Sequence, residues 1–244
     1  MGNTMTNLPL SVKNVMKSFG EKKVLKGINL EVKENEIVGL VGLNGIGKTT
    51  LIKIILDLLD CEEGSTEIFG INSKITKSRK NLSYLPEKFQ PSHFLKGREF
   101  LSIFNEKEKK KLDVQKVCEL ADTLALERKA LNTRVSDYSK GMTQKLGLIA
   151  TFLSDANLII LDEPMSGLDP QVRIHLKDLL LKYKKHGKSI FFSSHILADI
   201  DEVCDRIAVL HNGKILFNGK PEVFKKKHSE KSLERAFLKE IGSL

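Results

Sequence analysis

Gly42-Leu43-Asn44-Gly45-Ile46-Gly47-Lys48-Thr49 is the stretch that decides the fold. An apolar run, Ile37 to Val41, leads into it, and a run without Gly or Pro, Lys48 to Leu59, leads out. A Gly-rich loop of this spacing, set between a strand and a helix, is built to cradle phosphate groups. The glycines let successive backbone N–H groups turn inward, and the opening helix adds the positive end of its dipole. In such a loop Lys48 reaches the β- and γ-phosphates and the Thr49 hydroxyl ligates Mg²⁺.

A second stretch, Leu158-Ile159-Ile160-Leu161-Asp162-Glu163, supplies what the first lacks. Its apolar run suits a strand buried on both faces of a parallel sheet, and it ends in two acids. Asp162 is placed to hold the magnesium shell, and Glu163 to orient and deprotonate a water. Taken alone, Asp-Glu-Pro is an ordinary exit from strand to turn. Paired with the glycine loop it reads as the other half of a site.

The 244 residues can bury a sizeable core and fit one large domain or a domain with an insert, too few for two copies of such a unit. No apolar stretch approaches the 18 or more residues of a membrane span, and the N-terminus lacks the basic-then-apolar layout of a secretory leader. These features predict a soluble, cytosolic chain. Cys61, Cys118 and Cys204 are scattered without C-x-x-C spacing, which indicates reduced thiols rather than a disulfide framework or a zinc site.

Forty Lys and Arg against 31 Asp and Glu leave a net charge of +9, which is compatible with an anionic partner. The lysines bunch at Lys107 to Lys111, Lys182 to Lys188 and Lys225 to Lys227, near expected helix ends where solvated charge is usual. No aromatic residues interleave with them to stack on bases, so no specific nucleic-acid binding is expected. Met1-Gly2 with Thr6 matches an acylation pattern and Asn81-Leu82-Ser83 a glycosylation sequon, both of low information.

Along the chain, Leu10 to Val41 reads as short strands turning at Phe19-Gly20-Glu21-Lys22 and at Lys33-Glu34-Asn35-Glu36. A strand and turn at Thr66 to Ile71 lead to Asn81 to Leu85 and Pro86. From Phe94 to Leu153 the pattern turns helical and rich in Lys, Glu and Leu. Beyond Glu163 a helix from Pro170 to His186 is well bounded: Asp169 at the N-cap, Pro170 first, lysines in the last turn, Gly187 after it. Val172, Leu176, Leu179, Leu180 and Tyr183 form its apolar stripe. A strand at Ser189 to Ser193, a helix beyond His195 and paired strands around Asn212-Gly213 follow. Strands alternating with helices predict an α/β fold with a mainly parallel sheet.

In this order the residues resemble the nucleotide-binding subunits of ABC transporters over nearly the whole chain. The family's phosphate loop corresponds to Gly42 to Thr50, its acidic strand to Leu158 to Glu163, and its S-G-L-D loop to Ser166-Gly167-Leu168-Asp169. The L-S-G-G-Q signature is matched in part by Tyr138-Ser139-Lys140-Gly141-Met142. His195 stands where the family has its switch histidine, and Phe19 where an aromatic residue stacks on adenine.

The resemblance implies a P-loop NTPase core with an N-terminal antiparallel β region and an inserted α-helical subdomain, all within one domain. Residues 1–87 and 156–220 would form the core, 88–155 the helical subdomain and 221–244 a C-terminal helical extension. It implies ATP and Mg²⁺ as cofactors, with Phe19, Gly42, Asn44, Gly45, Gly47, Lys48, Thr49, Thr50 and Asp169 at the nucleotide. Ser139 and Gly141 would face the γ-phosphate held by a second ATP-binding subunit in a head-to-tail dimer, identical or paralogous. Glu163 and His195 would be catalytic, with Thr49, Asp162 and Glu87 toward the metal. The expected partner is a multispanning permease that holds the subunit on the inner face of the membrane, and export is the expected direction.

Two positions depart from the family. Tyr84-Leu85-Pro86-Glu87 puts an acid where the family has a Gln, and Lys140 replaces a signature Gly, toward phosphate or toward solvent. With Ser232-Leu233-Glu234 and Phe237-Leu238 they resemble the ATPases of drug, antibiotic, lantibiotic and sodium exporters. The rival expectation is a soluble ABC-type ATPase acting on ribosomes or nucleic acid, disfavoured by the absence of long coiled-coil heptads and of a basic aromatic groove.

Overall fold

The computed structural model describes residues 8–106 and 111–242. The acylation match at Met1-Gly2 and most of the lysine run from Lys107 fall outside them. The chain opens with β1 (Leu10–Phe19) and β2 (Lys22–Val32), crosses to β3 (Ile37–Val41) and α1 (Lys48–Ile55), and returns through β4 (Glu63–Ile68) and β5 (Ile71–Asn72). β2, β1, β4 and β5 lie side by side in that order as an antiparallel sheet. The expected N-terminal β region is therefore present, but β3 leaves it for a second sheet.

That second sheet holds β6 (Leu82–Leu85), β7 (Leu158–Asp162), β8 (Ser189–Ser194), β9 (Arg206–His211) and β10 (Lys214–Gly219). Among the described residues its order is β10-β9-β3-β8-β7-β6, parallel throughout except for the β9–β10 hairpin. Each inner strand is buried on both faces. Ile37, Ile159, Leu161, Ile190, Phe192 and Ile207 point into one core, while Val38, Leu40, Leu158, Ile160, Phe191 and Ala208 point into the other. The second core is closed by α1 and the antiparallel sheet. This is why these strands read as continuous apolar runs rather than alternating ones.

The first core takes the helices. α2 (Gly97–Glu106), α3 (Val114–Thr123) and α4 (Lys140–Leu153) form the helical region, α5 (Pro170–Lys185) and α6 (Leu197–Val203) lie between the later strands, and α7 (Pro221–Lys227) and α8 (Leu233–Glu240) end the chain. Phe224, Leu233, Ala236 and Phe237 of the last pair are buried in that same core. No helix among the described residues is long and apolar enough to cross a membrane.

Local signals explain the boundaries. Asp169 caps α5 by accepting from Val172 N at 3.0 Å, with Pro170 in the first turn and Lys182, Lys184 and Lys185 in the last. His186, not Gly187, is its C-cap residue, and Gly187 follows in the left-handed region. α1 stops at Ile55, short of the expected Leu59: Leu56 caps it, and Asp57 turns the backbone to φ +58°. Phe94 to Leu153 is likewise broken into shorter helices, with 3₁₀ turns at Arg128–Asn132 and Val135–Asp137.

Candidate active site

Parallel pairing brings the separate half-sites together. Val41 pairs with Ser194 and Leu40 with Ser193, and Ser193 pairs in turn with Asp162. The carboxyl ends of β3, β8 and β7 therefore open side by side, the position at which ligands bind in open α/β sheets. The phosphate loop, the acid pair and His195 each begin where one of these strands stops.

Two glycines of the loop show why the loop needs them. A β-carbon at Gly42 would stand 2.8 Å from the Leu210 carbonyl oxygen and 2.9 Å from Ile46 Cγ2. Gly47, just before α1, has φ +117° and would press a β-carbon to 2.9 Å from Val24. The loop wraps Lys48, whose Nζ donates to Gly42 O at 2.8 Å and Leu43 O at 3.3 Å and lies 3.1 Å from Glu163 Oε1. Both Lys48 and Glu163 are buried.

Glu163 is the hinge of the site. Its backbone sits at φ +51°, a conformation that costs a non-glycine residue about 1–3 kcal/mol. Its N–H is held by Ser193, carbonyl oxygen at 3.2 Å and hydroxyl at 3.0 Å. Oε2 pairs with His195 Nδ1 at 2.7 Å and accepts from the His195 N–H at 3.3 Å. Oε1 is buried without a hydrogen-bond partner despite its closeness to Lys48.

Asp162 is fully buried behind Glu163 and accepts from the Ser193 hydroxyl at 2.5 Å through Oδ1. Burial pushes its carboxyl above the usual value of 3.8, the Ser193 and Thr49 hydroxyls pull it back, and the charges of Glu87 and Glu163 push it up again. The same surroundings, burial first, lift the Tyr84 phenol to about 12.

Magnesium asks for hard oxygens, with one or two carboxylates and the rest of its shell from water and phosphate. Asp162 Oδ2, buried and without a hydrogen-bond partner, is an orphaned acceptor of that kind beside Thr49. Among the described residues no group of three or more His, Cys, Asp or Glu is set to hold a metal, so a site of the zinc type is absent there. The residues present fit magnesium.

A cavity of about 330 Å³ is walled by Asn44, Gly45, Gly47, Lys48, Thr49, Thr50, Glu87, Glu163, Ser166 and His195. Gly42 and Asp162 stand behind this wall. Phe19 lies outside it, 51% exposed, with Lys17 Nζ 5.4 Å from its ring centre. Ser139, Gly141 and Asp169 are also outside: Ser139 caps α4 by accepting from Met142 N at 3.2 Å, and Asp169 caps α5. Lys140 lays its stem across Gly167, the nearest stem carbon 3.6 Å from where a β-carbon of Gly167 would be. Ser193 was not legible as a site residue in the sequence, since its role arises from pairing register, and Ser166 was read only as the start of the S-G-L-D loop, not as a cavity residue.

Residues 25–166 match the family model described as ABC transporter. The chain belongs to the ABC transporter family. An uncharacterized ABC transporter ATP-binding protein of Synechocystis sp. is 38% identical over 80% of this chain and 56% of its own length. The bacitracin transport ATP-binding protein BcrA of Enterococcus faecalis is 36% identical over 85% of this chain and 68% of its own. The chain thus spans little more than half the length of the first relative. A solved ATP-binding subunit of an ABC transporter superposes with a TM-score of 0.85 at 29% identity, covering 95% of this chain and 98% of that one. The α/β fold with its two sheets is therefore the fold of ABC ATP-binding subunits.

Proposed function

We propose that this chain binds ATP with Mg²⁺ and hydrolyses it to drive export through a separate multispanning permease. The observation that carries this reading is the meeting of Lys48, Asp162, Glu163 and His195 at three adjacent strand ends, around a cavity floored by the phosphate loop. Lys48 is paired with Glu163. An entering triphosphate takes over Lys48, and the released Oε1 of Glu163 becomes the acceptor for a water proton. His195, on Oε2, keeps the carboxylate oriented and faces the terminal phosphate. Thr49 and Asp162 would hold magnesium, which when bound would neutralise phosphate charge. Phe19 offers its exposed face to the base.

Ser139 and Gly141 lie on the same chain yet outside its cavity, which supports a head-to-tail dimer in which α4 of one copy closes the phosphate site of the other. A transport role is supported by similarity to a protein named for bacitracin transport, and export is the direction we propose. Such a subunit works at the cytoplasmic face of the membrane, held there by its permease.

Phosphate release from ATP by the full chain should require Mg²⁺ and stop on chelation. Lys48→Ala should weaken ATP binding by about ten- to a hundredfold, the worth of a lost charge-assisted contact. Unchanged affinity sinks the assignment of the loop. Co-purification with a multispanning membrane protein is the expected partner result, whereas salt-sensitive binding to RNA or ribosomes would overturn the transport reading.

A further inference from the structure

We propose that Gln144 is a positioning residue that locks the catalytic turn to the helix carrying Ser139 and Gly141; this rests on the ATPase reading of the site above. Gln144 is a buried polar side chain, 6% exposed, on the second turn of α4. Its Nε2 donates to the carbonyl oxygen of Pro164 at 3.1 Å. Pro164 is buried, follows Glu163 directly and has no N–H of its own, so its carbonyl is the one main-chain polar group that this residue offers for tying down the turn. Glu163 adopts its left-handed backbone just before that peptide. A strained conformation persists only where surrounding contacts over-determine it.

The same face of α4 grips the rest of the loop. A β-carbon at Gly141 would lie 3.1 Å from Gly167 O, Lys140 covers Gly167, and Lys145 Nζ stands 3.8 Å from Asp169 Oδ2. Positions 140, 141, 144 and 145 share one helix face. Residues 163–169 and the first turns of α4 are thereby one body. One end of that body carries the carboxylate of the chain's own site, and the other carries the surface that closes the site of a second copy. A displacement of Glu163 on hydrolysis is passed to Ser139 through Gln144, which gives the two sites of the dimer a route for coupling within each chain.

The test is steady-state ATP turnover and ATP affinity of the full chain carrying Gln144→Met, which keeps the length of the side chain and removes its donor. Losing a buried hydrogen bond also lowers melting temperature, so Leu176→Ala in the core of α5, at least as destabilising, serves as the control. The expected result is a fall in kcat of about tenfold for Gln144→Met with ATP affinity unchanged, and a kcat near that of the parent for Leu176→Ala. A kcat within twofold of the parent for Gln144→Met, or a loss in both variants that follows their melting temperatures, overturns the proposal. Glu163→Gln separates the two levels. If the parent chain shows no turnover the ATPase reading itself fails, and if Glu163→Gln leaves turnover intact the role of Glu163 fails, whereas a large loss there beside an unaffected Gln144→Met sinks the Gln144 role alone.

Discussion

At the scale of single residues, Asp162 at the end of β7 carries a cost in folding stability. Asp162 is raised above its usual 3.8 chiefly by burial. A carboxyl whose folded value is raised loses folding stability as pH climbs from the unfolded value through the folded one, because the unfolded chain gives up the proton first. The cost therefore grows as pH rises above 3.8. Asp162→Asn should therefore raise the melting temperature of the nucleotide- and magnesium-free protein at pH 7, with a gain that shrinks as pH is lowered toward 3.8, while abolishing magnesium-dependent turnover. Thermal unfolding followed across pH checks it, and a melting point below that of the parent at pH 7 counts against the account. The sequence showed Asp162, Glu163 and Lys48 because each sits in a local pattern. It could not show Ser193, whose bonds to Asp162 and Glu163 depend on a pairing 31 residues away in the chain.

At the scale of elements, β3 and β9 are pinned at their starts by a group the motifs do not mention. Arg206 donates from Nε to Glu36 Oε1 and from Nη2 to Glu36 Oε2, each at 2.8 Å, and reaches Glu31 O and Asn218 Oδ1 as well. Burial works to raise the Glu36 carboxyl, but the Arg206 hydrogen bond, the Lys33 N–H and their charges hold it below 4.5. A depressed carboxyl contributes stability above its unfolded value that is lost as pH falls through the folded one. Arg206→Ala should cost about 2 kcal/mol at neutral pH and flatten the acid side of the stability profile below pH 4.5, read by denaturant unfolding at several pH values. α5 shows where element reading succeeds, since cap, proline and lysines all stand at its ends. α1 shows where it fails: nothing between Lys48 and Leu59 breaks a helix by composition, and the stop at Ile55 comes with the backbone turn at Asp57 that carries the chain toward β4.

At the scale of the whole molecule, α/β alternation and a mainly parallel sheet followed from the order of motifs, and the solved relative has the same fold. Burial on both faces was legible in the apolar run of β7, because a strand buried on both faces leaves no room for polar alternation, while the two cores on either side of the sheet emerge only in the fold. How α4 grips the loop after β7 was not legible, since no spacing rule links Gln144 to Pro164. Under the proposed head-to-tail arrangement, the separation of Ser139 from the cavity calls for association of two copies. Glu163→Gln supplied with ATP and Mg²⁺ should sediment as a dimer, and adding Lys48→Ala should return it to the monomer; a monomer in the first case would argue against closure by a second copy.

In the proposed reaction Glu163 deprotonates the attacking water. This step is tested most directly by ATP turnover of Glu163→Gln, with ATP affinity determined on the same preparation. Turnover should fall about 10²- to 10⁴-fold with ATP still bound. Hydrolysis near the rate of the parent would contradict it.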